Sequence, residues 1–210
     1  MAVATVTTEP DGPLTQSHRD EVTSAQDRAR KIHKAAALAG FNGWTTGIIA
    51  ICSAPFALFS LAGLVVTVGL SFVTYNEFRG RRQLLRFERN AATFLGWNQI
   101  GFLVLIVGYC LWMLFVGLTA DAPFAAEMKA NPQLIAALGS DVEFDQLYRL
   151  LVVAVYGAVI GLSAVFQGLN ALYYFTREKY VEAYVQQTPN WVHDLQCLTS
   201  SATPAIGWPL

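Results

Sequence analysis

Charge is what this sequence withholds: no Asp, Glu, Lys or Arg occurs over the 35 residues from Phe41 to Tyr75, and none from Asn90 to Ala120 or from Leu150 to Thr176. A spanning helix needs about 20 mostly apolar residues, and a charge at its centre costs roughly 2.5–3.5 kcal/mol on insertion scales. Gaps of this length exclude an ordinary soluble domain, as does a charged fraction of 14% beside 54% hydrophobic residues. Cysteine is scarce: Cys52 and Cys110 fall inside apolar runs and Cys197 stands alone near the end. Neither a disulfide framework nor a metal-ligand spacing is present, and the cysteines read as small buried hydrophobes. No Ser-His-Asp set, His-Glu-x-x-His, Walker glycine loop or Cys-x-x-Cys occurs. The sequence therefore predicts no catalytic residue, no cofactor and no metal. A net charge of −1 gives no hint of nucleic acid, which would want a basic face, and the positive charge is bunched beside the apolar stretches instead. Met1 to Thr15 lacks the apolar core of a cleaved leader and is expected to be disordered.

What is present is basic charge bunched beside the apolar stretches. Arg28, Arg30, Lys31 and Lys34 precede the first, while Arg79, Arg81, Arg82, Arg86 and Arg89 follow it. Basic flanks stay in the cytoplasm, so a chain basic on both sides of one stretch must cross it twice. The fold class expected is an all-α integral membrane bundle of four transmembrane helices, with spans at about 41–57, 59–75, 95–118 and 150–175 inside a membrane domain of 41–198. Pro55 places the first turn near Ser53 to Ser60. A re-entrant hairpin that dips in without exposing its tip is the alternative to full crossing. The loop 119–148 carries Asp121, Glu127, Asp141, Glu143 and Asp145 against Lys129 and belongs outside. There Asn131-Pro132 and Gly139 bound a short helix, and Ser140 with Glu143 forms a capping box. Both termini fall in the cytoplasm.

Residues 16–40 read as a cytoplasmic amphipathic helix, and Glu77 to Asn90 as a second, both lying along the inner surface, where basic side chains meet anionic headgroups. Arg79, Arg81, Arg82 and Arg86 are the expected anionic-lipid contacts. Each helix leads into a similar entry: Ala39, Phe41, Gly43 and Trp44 match Ala92, Phe94, Gly96 and Trp97 in spacing, which is either a duplication or convergence on an interfacial signal. After the fourth span the helix continues to Thr188-Pro189, beyond which Trp191, Val192, Leu195 and Leu198 share the face of a short interfacial piece. A flexible tail follows over 199–210.

Polar side chains at depth are few. Asn98, Gln99, Gln167 and Asn170 lie at similar depth in the third and fourth spans, and unpaired amides are costly in lipid. They are expected to form an interhelical polar clasp; a substrate or ion path is the alternative. Small residues four apart, Gly43 with Gly47 and Gly157 with Gly161, permit close helix approach.

The strings Asn76-Glu77-Phe78-Arg79-Gly80-Arg81, Leu95-Gly96-Trp97-Asn98-Gln99, Tyr173-Tyr174-Phe175 and Thr188-Pro189-Asn190-Trp191 together resemble an uncharacterised family of small bacterial four-span inner-membrane proteins. The resemblance covers roughly Val73 to Leu195 and implies a bacterial inner (cytoplasmic) membrane, with no activity attached. The expected function is a non-enzymatic structural or accessory subunit of a membrane assembly, its partners being membrane lipid, other membrane subunits or copies of itself. The alternatives are a small channel or transporter formed by oligomerisation, and a membrane enzyme built on Glu77 with Arg79, Arg81 and Arg82.

Overall fold

The computed structural model describes residues 15–119 and 141–195, with side chains from residue 145 in the second stretch. Four helices account for nearly all of them: α1 Gln16–Ala57, α2 Leu61–Leu85, α3 Ala91–Thr119 and α4 Asp141–Gln187. Each contains a stretch long and apolar enough to cross a membrane, and the chain is an all-α, multi-pass membrane bundle. Successive helices alternate in direction, so one end of the bundle collects the start of α1, the α2–α3 turn and the end of α4. This end carries most of the basic residues and is called the basic end below.

Two helices are longer than their spans. α1 runs unbroken from Gln16, where Thr15 caps it by accepting from the His18 N–H at 3.4 Å. The segment 16–40, expected as a separate helix along the surface, instead stands in line with the first span. Its alanine stripe explains why: Ala25, Ala29, Ile32, Ala36 and Ala39 repeat at helical spacing and are buried to 1% exposure or less. They pack with Leu84, Phe87, Tyr184 and Val192 in a closed core at the basic end. The piece after Pro189 belongs to this core as well. Val192 is fully buried and Trp191 meets His18 edge-on at 5.2 Å, so this piece folds back onto the start of α1. Leu198 and the expected elements of 120–140 and 199–210 lie outside the described residues.

α2 ends at Leu85, short of the Asn90 expected. The Glu88 N–H reaches back to Gln83 O and the Phe87 N–H to Leu84 O, both at 3.0 Å, a Schellman closure with Phe87 in the left-handed conformation, φ 55°. Glycine is usual there, because a side chain costs about 1–2 kcal/mol. Phe87 offsets that cost by burial: its ring stacks on Tyr184 at 4.1 Å, and burying a phenylalanine contributes about 1.5–3 kcal/mol.

At the far end the turn is tighter than Pro55 suggested. α1 continues two residues past Pro55, and Leu58 to Ser60 reverse the chain, with Ser60 Oγ accepting from the Gly63 N–H at 2.9 Å. Phe56, Leu58, Phe59 and Leu61 at this tip are all exposed. Leu61 shares a groove with Trp112, so α3 continues from Trp112 to Thr119 beyond the tip, about 10 Å. Arg149 closes the α3 end, donating from Nη1 to Leu118 O at 2.7 Å while its Nε pairs with Asp145 at 2.8 Å. Cys110 is buried as expected, whereas Cys52 faces outward.

The α1–α2 and α3–α4 hairpins repeat one contact. Gly43 lies against Glu77 and Phe78 of α2, and the next residue, Trp44, meets Phe78 edge-on at 5.9 Å. Gly96 lies against Phe175 of α4, and Trp97 meets Phe175 edge-on at 6.1 Å. The matching entry sequences thus do matching work, each glycine admitting an aromatic ring that the following tryptophan covers. The other small pair behaves differently: Gly47 faces Thr74, but Gly157 and Gly161 have nothing within 4 Å of an added methyl.

Candidate functional site

Among the described residues, Glu77 is the one carboxylate enclosed at the centre of the bundle. It follows the charge-free stretch ending at Tyr75, and α2 turns it inward while Arg79 and Arg82 face out. Its exposure is 0%. Oε1 accepts from Asn98 Nδ2 at 2.8 Å and from Gln99 Nε2 at 2.7 Å. Asn98 also donates to Val73 O at 3.3 Å and accepts from Asn76 Nδ2 at 3.1 Å. Gly43 on α1 leaves room for the Glu77 stem. On α4, the buried Tyr174 hydroxyl accepts from Asn42 of α1 at 3.4 Å. Groups from all four helices therefore meet where the spans join the packed core.

This is not the clasp that sequence depth suggested. Asn98 and Gln99 bond to α2, and neither Gln167 nor Asn170 joins them. Register is the reason. The Gly96–Phe175 contact puts Asn98 level with Tyr173, and Gln167 stands six residues, about 9 Å, farther along α4. Gln167 Oε1 is buried without a partner, and Asn170 is half-buried. As the partner of these amides Glu77 is hidden in the sequence, because it sits two residues past the apolar stretch among arginines. Asn76-Glu77 and Asn98-Gln99, each adjacent in sequence, supply the four side chains of the α2–α3 hydrogen-bond network.

The arginines separate. Arg79, Arg82 and Arg86 share one exposed face of α2 and make no ion pair among the described residues, while Arg81 turns to α1 and packs on Gly40. Arg79 also lies 5.6 Å from the Phe94 ring of α3. Glu77 makes no ion pair with any of them, so the Glu77 and arginine set considered for an enzyme is dispersed. A second cationic group forms on α1 and α4: the Lys31 ammonium sits 4.2 Å from the Tyr180 ring centre and Arg177 4.3 Å from that of Tyr173. Hydrogen bonding from Lys31 and its charge hold the Tyr180 phenol below its usual range.

Two grooves open sideways between α2 and α3. One, about 470 Å³, is lined by Gly69, Val73, Trp97 and Gly101, with Asn76 and Asn98 as polar groups. The other, about 440 Å³, is lined by Val65, Val104, Gly108 and Trp112 farther from the basic end. Leu105 lines both.

These features define a multi-pass helical membrane protein with a polar centre closed by four helices. No family model matches the chain, and no curated protein or solved structure matches it either.

Proposed function

We propose that the chain is a non-enzymatic structural or accessory subunit of an assembly in the bacterial inner membrane, with the basic end and both termini in the cytoplasm. The observation that carries this reading is the uneven packing of α4. Between Asp145 and Asn170 only Val152 is buried, whereas Ala171, Tyr174, Val181 and Tyr184 are all enclosed in the next turns. The basic end supplies the rigidity, and the outer face of α4 is left for lipid or other membrane helices. The open Gly157 and Gly161 on that face suit close helix approach. Arg79 stands over Phe94, which lines the nearer α2–α3 groove, and Arg82 and Arg86 continue its exposed face, an arrangement suited to anionic phospholipid, with about 1 kcal/mol for each cation near an anionic surface.

Photo-crosslinkers at Val155 and Leu162 in cell membranes test the reading: the expected product is a discrete adduct with a second membrane subunit. Adducts with lipid alone would refute the assembly. Self-adducts accompanied by ion flux from reconstituted liposomes would replace it with an oligomeric channel. Labels at residues 20 and 85 should react from the same, cytoplasmic, side.

A further inference from the structure

The bonds at Glu77 leave two acceptors over. Glu77 Oε2 and Gln99 Oε1 are both buried with no hydrogen-bond donor, and they belong to the same carboxyl and amide groups already joined by the 2.7 Å Nε2–Oε1 bond. The neighbouring amide donors are engaged elsewhere: Asn98 Nδ2 on Glu77 Oε1 and Val73 O, Asn76 Nδ2 on Asn98, and Asn42 Nδ2 on Tyr174. Orphaned buried acceptors of this kind are uncommon in native proteins and call for a donor. Two free oxygens are too few for a hard metal cation, which takes six or so oxygen ligands. One proton suffices for both.

We propose that the Glu77 carboxyl is a proton-binding site, held as the neutral acid with Oε2–H donated to the Gln99 side-chain oxygen, closing an acid–amide pair where the four helices join. The surrounding elements offer little to stabilise a carboxylate instead. α1 presents Gly43, α3 presents only the amides of Asn98 and Gln99, and α4 presents the Tyr174 phenol, while Arg81 on α2 itself is turned to Gly40. Binding the proton converts carboxylate to acid with no other change in bonding. The proposal is independent of the accessory-subunit reading, since it rests on the interior of one chain.

The test is infrared difference spectroscopy of the full chain in lipid at neutral pH, with carboxyl-labelled glutamate. A protonated-carboxyl band is expected that vanishes in Glu77→Gln and moves to the position of a weakly bonded acid in Gln99→Leu. Glu77→Gln mimics the neutral acid, its new amide donating to Gln99, so its unfolding midpoint should match that of the wild-type chain. Glu77→Leu should lower the midpoint. Because the folded chain would hold a proton that the unfolded chain releases, wild-type stability should fall as pH rises, and Glu77→Gln should flatten that slope. A carboxylate signal alone at neutral pH, or a band responding to sodium or potassium at fixed pH, would overturn the proposal. So would a Glu77→Gln chain as weakened as Glu77→Leu.

Discussion

Adding one methyl group at Gly96 probes the α3–α4 register directly. In Gly96→Ala the new carbon would lie 2.7, 2.8 and 3.0 Å from Cε1, Cζ and Cδ1 of Phe175, where carbon contacts are ordinarily about 3.5–4 Å. The ring has to retreat by roughly 1 Å. Its retreat is hindered by Trp97, against which it is set edge-on at 6.1 Å. Overpacking of this sort costs about 1–3 kcal/mol, and the better helix propensity of alanine returns about 1 kcal/mol. The net loss expected is up to about 2 kcal/mol. Gly157→Ala has nothing within 4 Å, so only the propensity term remains and the variant should gain up to about 1 kcal/mol. The two variants, one methyl each on neighbouring helices, share the propensity gain and should therefore differ by the overpacking cost of about 1–3 kcal/mol, on the order of 5- to 150-fold in the unfolding equilibrium. Unfolding in mixed micelles, followed by tryptophan fluorescence, measures this. Phe175→Ala should cost less in the Gly96→Ala background than in the wild type, with a coupling of about 1 kcal/mol. If Gly96→Ala proved as stable as Gly157→Ala, the register of α3 on α4, and with it the placement of Gln167 away from Asn98, would be refuted.

Asn98→Leu should destabilise by about 3 kcal/mol, since it strips a buried carboxyl of a donor, while Gln167→Leu should be neutral or mildly stabilising because its oxygen is already unpartnered. The double mutant should be additive in the same unfolding assay; coupling between them would restore the clasp. His33 precedes Phe41 by eight residues at the basic end, with Phe87 edge-on at 5.8 Å, and burial lowers its pKa from 6.5. The unfolded chain then binds that proton more readily, so the His33 contribution is fully present above about pH 6.5 and is lost as pH falls through the lowered value. Subtracting the pH profile of His33→Gln from that of the wild type isolates it, and a difference that shrinks as pH rises toward 6.5 would contradict the assignment. Phe59→Cys at the α1–α2 tip should resist a membrane-impermeant maleimide from both sides, because the exposed apolar residues there belong in the lipid layer, while Thr119→Cys should react. Ready labelling of both would place the tip in water.

Much of this architecture is decided by local composition. The charge-free stretches mark the apolar helices one by one, because the cost of burying charge in lipid is summed over consecutive residues and needs no knowledge of neighbours. Arginine and lysine on the flanks of Phe41 to Tyr75 likewise indicate a chain that returns to its starting end. What the sequence leaves undecided is which side chains meet. Asn98 was visible as a costly polar group, yet its partner could be on α2 or α4, and only the close approaches of Gly80 to Leu95 and of Gly69 to Leu105 set the α2–α3 register that brings it to Glu77. The same holds for Glu77: among arginines it reads as a surface acid, and its enclosure follows from a glycine 34 residues earlier on another helix. Residues 16–40 are compatible with a surface helix until Tyr184, Phe87 and Val192 supply the opposite wall of their alanine stripe. Hydropathy is additive along the chain, whereas a buried hydrogen bond depends on two helices meeting to within an ångström, and that condition is met only in the folded bundle.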